Sequence, residues 1–172
     1  MTAIDLIVLG MLKSQPLSAY DIQKLVEYRN ISKWVKVSTP SIYKKVIQLA
    51  EKGLLQGQPV KEGRMPEKAV YSLTDAGQKE FEKLMLDISA EPIHIFLDFN
   101  AVIVNLDKLP AESRAVCLAR IRDGIAELKQ YLNENESKKE NAPDVPETGL
   151  AVLRQQRVLV DAIETWLLSL EG

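Results

Sequence analysis

Between residues 39 and 53 the chain interleaves Ser41, Tyr43, Lys44, Lys45 and Gln48 with Ile42, Val46 and Leu49. If the segment is helical, each residue turns by about 100°, so Ile42, Val46 and Leu49 gather on one side. Ser41, Lys44 and Gln48 fall opposite, with Tyr43 at the edge of that face and Lys45 on its flank. Lys and Gln can hydrogen-bond base edges, and Ser, Tyr and Lys can reach phosphates, so the exposed face has the chemistry that duplex DNA requires. Glu51 lies on the same side one turn further on and points away from a duplex entered by the N-terminal end. A second cationic group, Lys61, Arg64 and Lys68, surrounds the turn Gly63-Arg64-Met65-Pro66. Its side chains suit phosphates or a narrow minor groove. Solvated helices and hairpins also carry such residues, and the two groups acquire meaning only from the elements that position them.

The other reactive side chains point away from catalysis. His94 is the single histidine and stands between Ile93 and Ile95; the single cysteine, Cys117, has only Arg114 and Arg120 on neighbouring turns. They read as a core or interface imidazole and a buried, inert thiol. The sequence has no phosphate-cradling glycine loop, histidine metal pair or nucleophile elbow. The expectation is no enzyme, no cofactor and no metal. One cysteine also excludes an intrachain disulfide, which fits a reducing compartment. Met1 to Asp5 lack a basic leader, and the apolar runs Leu6–Leu12 and Phe99–Leu106 are too short to span a bilayer, so a cytoplasmic chain with no membrane partner is expected.

The elements around the first group follow from periodicity. Ile4, Ile7, Val8, Met11 and Leu12 form a helical stripe ending before Pro16. Ser18 and Asp21 have the spacing of a capping box before Ile22, Leu25 and Val26. Thr39 starts a third helix, Pro40 suits its first turn, and Gly53 stops it. The period then shortens to that of strands over Leu54–Lys61 and Lys68–Leu73, the second with Ala69, Tyr71 and Leu73 on one face. Thr74 caps a further helix in which Ala76, Phe81, Leu84 and Met85 face inward. Three helices, a hairpin and a helix are the order of a winged helix-turn-helix, in which the third helix enters the major groove and the hairpin lies along the flanking backbone.

Beyond Pro92 the sequence reads as helical only. Ile93–Leu106 is apolar nearly all round, as a helix enclosed by other protein would be. Leu118, Ile121, Ile125, Leu128 and Leu132 make a heptad seam for one partner helix. Glu134–Thr148 is a polar break, either a loop or a frayed helix end, and Leu159, Ile163, Trp166, Leu167 and Leu170 form a last stripe. The whole predicts a mostly α protein with a small β-hairpin wing: a winged helix-turn-helix at residues 1–88 and an all-helical dimerisation domain at 89–172. Of 172 residues 46% are apolar and 27% charged, enough for a real core. The charge is unevenly spread. Met1–Leu86 holds 13 basic and 9 acidic residues, and Asp87–Gly172 holds 9 and 15. A basic front half suits a polyanion.

Leu17-Ser18-Ala19-Tyr20-Asp21-Ile22, Ser41-Ile42-Tyr43 with Leu49, Gly53 and Leu54, then Gly63-Arg64, Lys68, Tyr71-Ser72-Leu73-Thr74 and Gly77 fall in one order over residues 4–86. In these motifs the chain resembles the PadR family of bacterial transcriptional regulators. The resemblance implies a winged-helix DNA-binding domain, a dimerising helical C-terminal region and, usually, repression relieved by a phenolic or drug-like aromatic. Pro40 stands where many members have Gly and Lys44 where many have Pro, which bears on the operator sequence. Candidate DNA-binding residues are thus Ser41, Tyr43, Lys44, Lys45, Gln48, Lys61, Arg64 and Lys68. Candidates for the homodimer interface are Ile95, Phe96, Phe99, Val102, Leu159, Ile163, Trp166 and Leu170, since a symmetry mate would hide the apolar surface of residues 92–172. Trp34, Phe96 and Phe99 are candidates to line a pocket for a small aromatic effector. The competing expectation is a winged-helix module that contacts a protein and no DNA; a steep loss of duplex affinity with salt separates the two.

Overall fold

A computed structural model describes residues 2–35, 39–61, 67–140, 142 and 145–170. The chain forms two compact units, Met1–Ile93 and His94–Gly172. In the first, helix α1 (Ala3–Ser14) leads through the short strand β1 (Leu17–Ser18) into α2 (Ala19–Tyr28) and, after a 3-10 turn at Ile31–Lys33, α3 (Thr39–Glu51). The hairpin β2 (Leu55–Val60) and β3 (Lys68–Leu73) follows, then α4 (Asp75–Ser89). The sheet is antiparallel in the order β1-β3-β2, with Leu17 opposite Tyr71 and Gln58 opposite Val70. This is the winged-helix arrangement, mostly helical with a small sheet.

Local chemistry explains where the helices begin and end. The Ser18 hydroxyl accepts from the Asp21 N–H at 3.1 Å while the Asp21 carboxylate accepts from the Ser18 N–H at 3.2 Å, a reciprocal cap on α2. Helix α3 ends on Gly53, whose φ of 72° lies in the left-handed region. Its N–H reaches Ala50 O at 2.9 Å and the Leu54 N–H reaches Leu49 O at 3.0 Å, the paired closure of a Schellman motif. The core gathers Val8, Leu9, Ile22, Val26, Ile42, Val46, Leu49, Leu55 and Leu84 from all these elements.

In two places the expected burial differs: Ala76 and Met85 are exposed on α4. On α4 the inward positions fall at Gly77, Phe81 and Leu84, so its buried stripe is narrower than the apolar composition suggests.

In the second unit α5 (Asn100–Ile103) and a 3-10 turn at Leu106–Lys108 precede two long helices, α6 (Ala111–Lys139) and α7 (Glu147–Ser169). The continuous helix expected over residues 93–106 is absent. Residues 92–97 have no regular structure, Ile93 and Phe96 are largely exposed, and only four residues form α-helix. An all-apolar helix needs an enclosing shell, and nothing encloses this stretch. Within the polar break α6 continues as far as Lys139, and α7 begins at Glu147. The heptad seam has its partner within the chain: Ile125 and Leu132 are buried with Leu150, Leu153, Val160 and Leu167, and Leu118 and Ile121 pack against them, while Leu128 is exposed. Lys129 pairs with Asp161 at 2.9 Å and Arg157 with Glu136 at 2.8 Å, so α6 and α7 run antiparallel.

Gly77 marks where α4 meets the hairpin. The Thr74 hydroxyl donates to Gly53 O at 2.7 Å and accepts from the Gly77 N–H at 3.1 Å, holding the helix start against the turn after α3. A Cβ at Gly77 would overlap the backbone oxygen of Leu54. Gly77→Ala is therefore expected to cost at least about 1–3 kcal/mol, read as a lower urea midpoint. An unchanged midpoint would show that the turn is free to move.

Candidate nucleic-acid interface

Helix α3 carries the candidate reading face. Ile42, Val46 and Leu49 are buried in the core, which fixes the rotation of the helix about its own axis. Tyr43 and Lys44 are exposed and Gln48 half-buried on the outward side, with Ile47 beside them. Ser41 is half-buried. The outward side therefore offers a phenol, an ammonium and an amide in succession, able to donate to phosphates and to base edges.

Lys45 stands differently from the expectation. Its ammonium lies 3.0 Å from a carboxylate oxygen of Asp5, and it is turned inward toward α1. Asp5 is itself buried, 3% exposed. Its other oxygen accepts from the Thr2 N–H at 2.7 Å and the Thr2 hydroxyl at 3.0 Å. A buried carboxylate demands such partners. Lys45 on the flank of α3 meets that demand and does not belong to the outward face.

On the wing, Lys61 is exposed at the end of β2, and Lys68 opens β3 with its ammonium 3.7 Å from Asp21. Arg64 lies outside the described residues. A feature that periodicity missed is the outer side of α2. Tyr20 is exposed, and the Lys24 ammonium stands 5.5 Å from the centre of its ring. Lys24 also pairs with Glu27 at 3.0 Å, which raises its pKa and lowers that of Glu27. The i, i+4 spacing of Tyr20 and Lys24 was the available signal.

In the second unit, α7 has two apolar sides. Leu150, Leu153, Val160 and Leu167 face α6, whereas Leu159, Trp166 and Leu170 lie about 100° around the helix and are exposed. Phe99 stacks on Trp166 with ring centres 6.0 Å apart. Ile163 packs beside the α6–α7 core. Ile95, Phe96 and Val102 are exposed, and Phe96 lies against the His94 ring, 5.9 Å between centres. Trp34 packs on the core of the first unit. A groove of about 590 Å³ is lined by Leu106, Leu118 and Leu170 with Arg114 and Arg122 at its edge. Among the described residues no group of three or more His, Cys, Asp or Glu could hold a metal, and no helix is long and apolar enough to cross a membrane.

Burial raises the pKa of Asp5, but the hydrogen bonds from Thr2 and Lys45 outweigh it and hold the carboxyl below its ordinary 3.8. Asp21 is likewise lowered, chiefly by the Ser18 hydroxyl. A carboxylate with a depressed native pKa stabilises the fold above its unfolded value, and that contribution is lost as pH falls through the native one. Asp5→Asn is expected to cost about 1–3 kcal/mol at pH 7. Its deficit should shrink in urea titrations as pH falls below 3.8, where the unfolded carboxyl takes up its proton first, and disappear below the native value. A deficit independent of pH would deny the carboxylate this role.

Residues 8–83 match the sequence model described as the transcriptional regulator PadR-like family. No curated protein matches the chain. Among solved structures, Bacillus subtilis PadR in complex with operator DNA superposes with a TM-score of 0.83 at 20% identity, over 98% of this chain and 97% of that one. The same protein in complex with p-coumaric acid gives 0.82 at 20% identity, over 98% and 96%. The Vibrio cholerae virulence activator AphA gives 0.71 at 22% identity, over 96% and 94%. At these identities the likeness is one of fold, and it extends through both units.

Proposed function

We propose that this chain, whose residues 8–83 match the PadR-like transcriptional regulator model, works as a homodimeric, sequence-specific repressor in the cytoplasm, with no reaction of its own. The observation that carries this reading is the outward face of α3. Tyr43, Lys44 and Gln48 stand free of a core that has fixed the helix's orientation through Ile42, Val46 and Leu49. Ser41, Lys44 and Gln48 read the major groove; Lys61, Arg64 and Lys68 lie along phosphates, Lys68 after exchanging Asp21 for the duplex.

The exposed side of α7, with Leu159, Trp166 and Leu170, supports dimerisation of the second unit, and Ile95, Phe96, Phe99, Val102 and Ile163 extend the proposed interface. A two-fold dimer presents two reading helices to half-sites about one helical turn apart. The effector we propose is a small aromatic acid, the class to which the p-coumaric acid bound by Bacillus subtilis PadR belongs. Phe96 and Phe99 supply aromatic faces in the second unit, and the groove edged by Arg114 and Arg122 supplies cations for a carboxylate.

A duplex enriched by the chain from a random pool tests the interface. Lys44→Ala and Gln48→Ala should lose about 1–3 kcal/mol on that duplex and little on unrelated DNA. Lys61→Ala should weaken both alike and reduce the salt slope by about 1. Unchanged binding in all three variants overturns the assignment, and affinity indifferent to salt favours the protein-binding module.

Trp166→Asp should sediment as a monomer and bind the duplex far more weakly, since linked half-sites gain from effective concentration. A dimeric Trp166→Asp would move the interface elsewhere. For the effector, an aromatic acid that raises the melting temperature should also lower duplex affinity by at least about fivefold, the lower end of allosteric coupling. Stabilising acids that leave DNA affinity unchanged would remove the effector from the proposal.

A further inference from the structure

Asp5 is the one buried carboxylate among the described residues, and the interface as drawn gives it no task. It sits in the first turn of α1, far from α3 in sequence, yet its carboxylate meets the ammonium of Lys45 at 3.0 Å. Lys45 immediately precedes Val46, which is fully buried, and follows Lys44, which is exposed. Two consecutive lysines on one helix therefore have opposite surroundings. One is free to meet an anion from outside; the other already has its anion inside the protein.

We infer that Asp5 and Lys45 form an internal clamp that sets the reading helix on α1, with Lys45 a positioning residue that neutralises no phosphate. This rests on the reading of α3 as the DNA-contacting helix. Three groups converge on the Asp5 carboxylate, the Thr2 N–H, the Thr2 hydroxyl and the Lys45 ammonium. The two from Thr2 belong to the cap of α1 itself, so Lys45 is the only one of these three that ties Asp5 to another element. The apolar stripe of α3 fixes its rotation, and packing alone resists a shift along its axis less specifically than a directed bond. A charged bond from the helix flank to a buried group on α1 opposes that sliding, because moving Lys45 away leaves a desolvated carboxylate short of a partner. The depressed pKa of Asp5 agrees with a carboxylate that keeps its charge for this bond.

Counterion release separates a positioning lysine from a contacting one. Each phosphate neutralised by a side chain steepens the fall of log affinity with log salt by about 0.9. On the full chain and the duplex enriched from a random pool, Lys45→Met is expected to lose about tenfold in affinity with no change in that slope. Lys44→Met should flatten the slope by about 0.9. A flatter slope for Lys45→Met, with equal loss on an unrelated duplex, would make Lys45 a phosphate contact and overturn the inference, as would unchanged affinity for the enriched duplex.

Amine acylation read by mass spectrometry tests the pair without DNA, under conditions where circular dichroism shows each variant folded. Lys45 should label more slowly than Lys44 in the wild type, and Asp5→Asn should bring the two rates together. Equal labelling in the wild type would show that no clamp exists. A wild type that binds no duplex fails the DNA reading itself, and the positioning role with it, whereas a salt slope lost with Lys45 alone fails only the clamp.

Discussion

A helix has one circumference, and whatever it buries decides what it can show. In α3 the buried share is the stripe Ile42, Val46 and Leu49, each with at most 1% of its surface exposed. Full burial of an aliphatic side chain is worth about 1.5–3 kcal/mol, so rotating α3 to present another face would forfeit several kcal/mol. The outward position of Tyr43, Lys44 and Gln48 follows from that cost. Much of the surrounding unit serves the same stripe: α1 and α2 supply Val8, Leu9, Ile22 and Val26 to seat it, and the Gly53 closure turns the chain into β2.

The second unit is governed by a shortage of cover. Helix α7 carries more apolar surface than α6 can bury, so Leu159, Trp166 and Leu170 remain exposed beside the core formed by Val160 and Leu167. The ion pairs of Lys129, Arg154 and Arg157 run along the α6–α7 contact and fix the antiparallel register. Being partly exposed, they contribute modest stability, and their use is in choosing one register among several that the leucines would tolerate. A rigid two-helix unit with an uncovered apolar side is suited to meeting its own copy, because a two-fold axis covers both exposed sides with one contact.

What could be read from the sequence was what is decided locally. The cap at Ser18 and Asp21, the stripe of α3, the stop at Gly53 and the strand pair before Thr74 all depend on residues a few positions apart, and the structure has each of them. Strand β1 escaped because two residues have no period. The helix expected over 93–106 fails because Asp98 and Asn105 interrupt the apolar run and its side chains at Ile93, Ile95 and Phe96 stand exposed, not enclosed. The seam from Leu118 to Leu132 showed that a helix would be covered but not which chain would cover it. Lys45 was misplaced for the same kind of reason: its partner Asp5 lies in another helix, and a lysine on a helix flank looks like any solvated cation until the buried carboxylate is seen.

Those internal pairs change the meaning of the charge count. The front half, Met1–Leu86, holds four more basic than acidic residues, but Lys45 is held by Asp5, Lys24 by Glu27 and Lys68 by Asp21. A cation already compensated inside the protein releases no counterion unless it gives up its partner. The Lys24 and Lys68 pairs are partly exposed and worth little, so a phosphate can compete for them; the Asp5 pair is buried and resists exchange. In the proposed interface the charge left for a duplex is therefore narrower than the composition implies, resting on Lys44, Lys61 and Arg64. A single unit with so few phosphate contacts has a weak, shallow grip on DNA. Doubling the unit through α7, as proposed, would double those contacts and turn the second half-site into an intramolecular partner. In the proposed dimer, the exposed side of α7 would supply by assembly the affinity that the inward lysine withholds from α3.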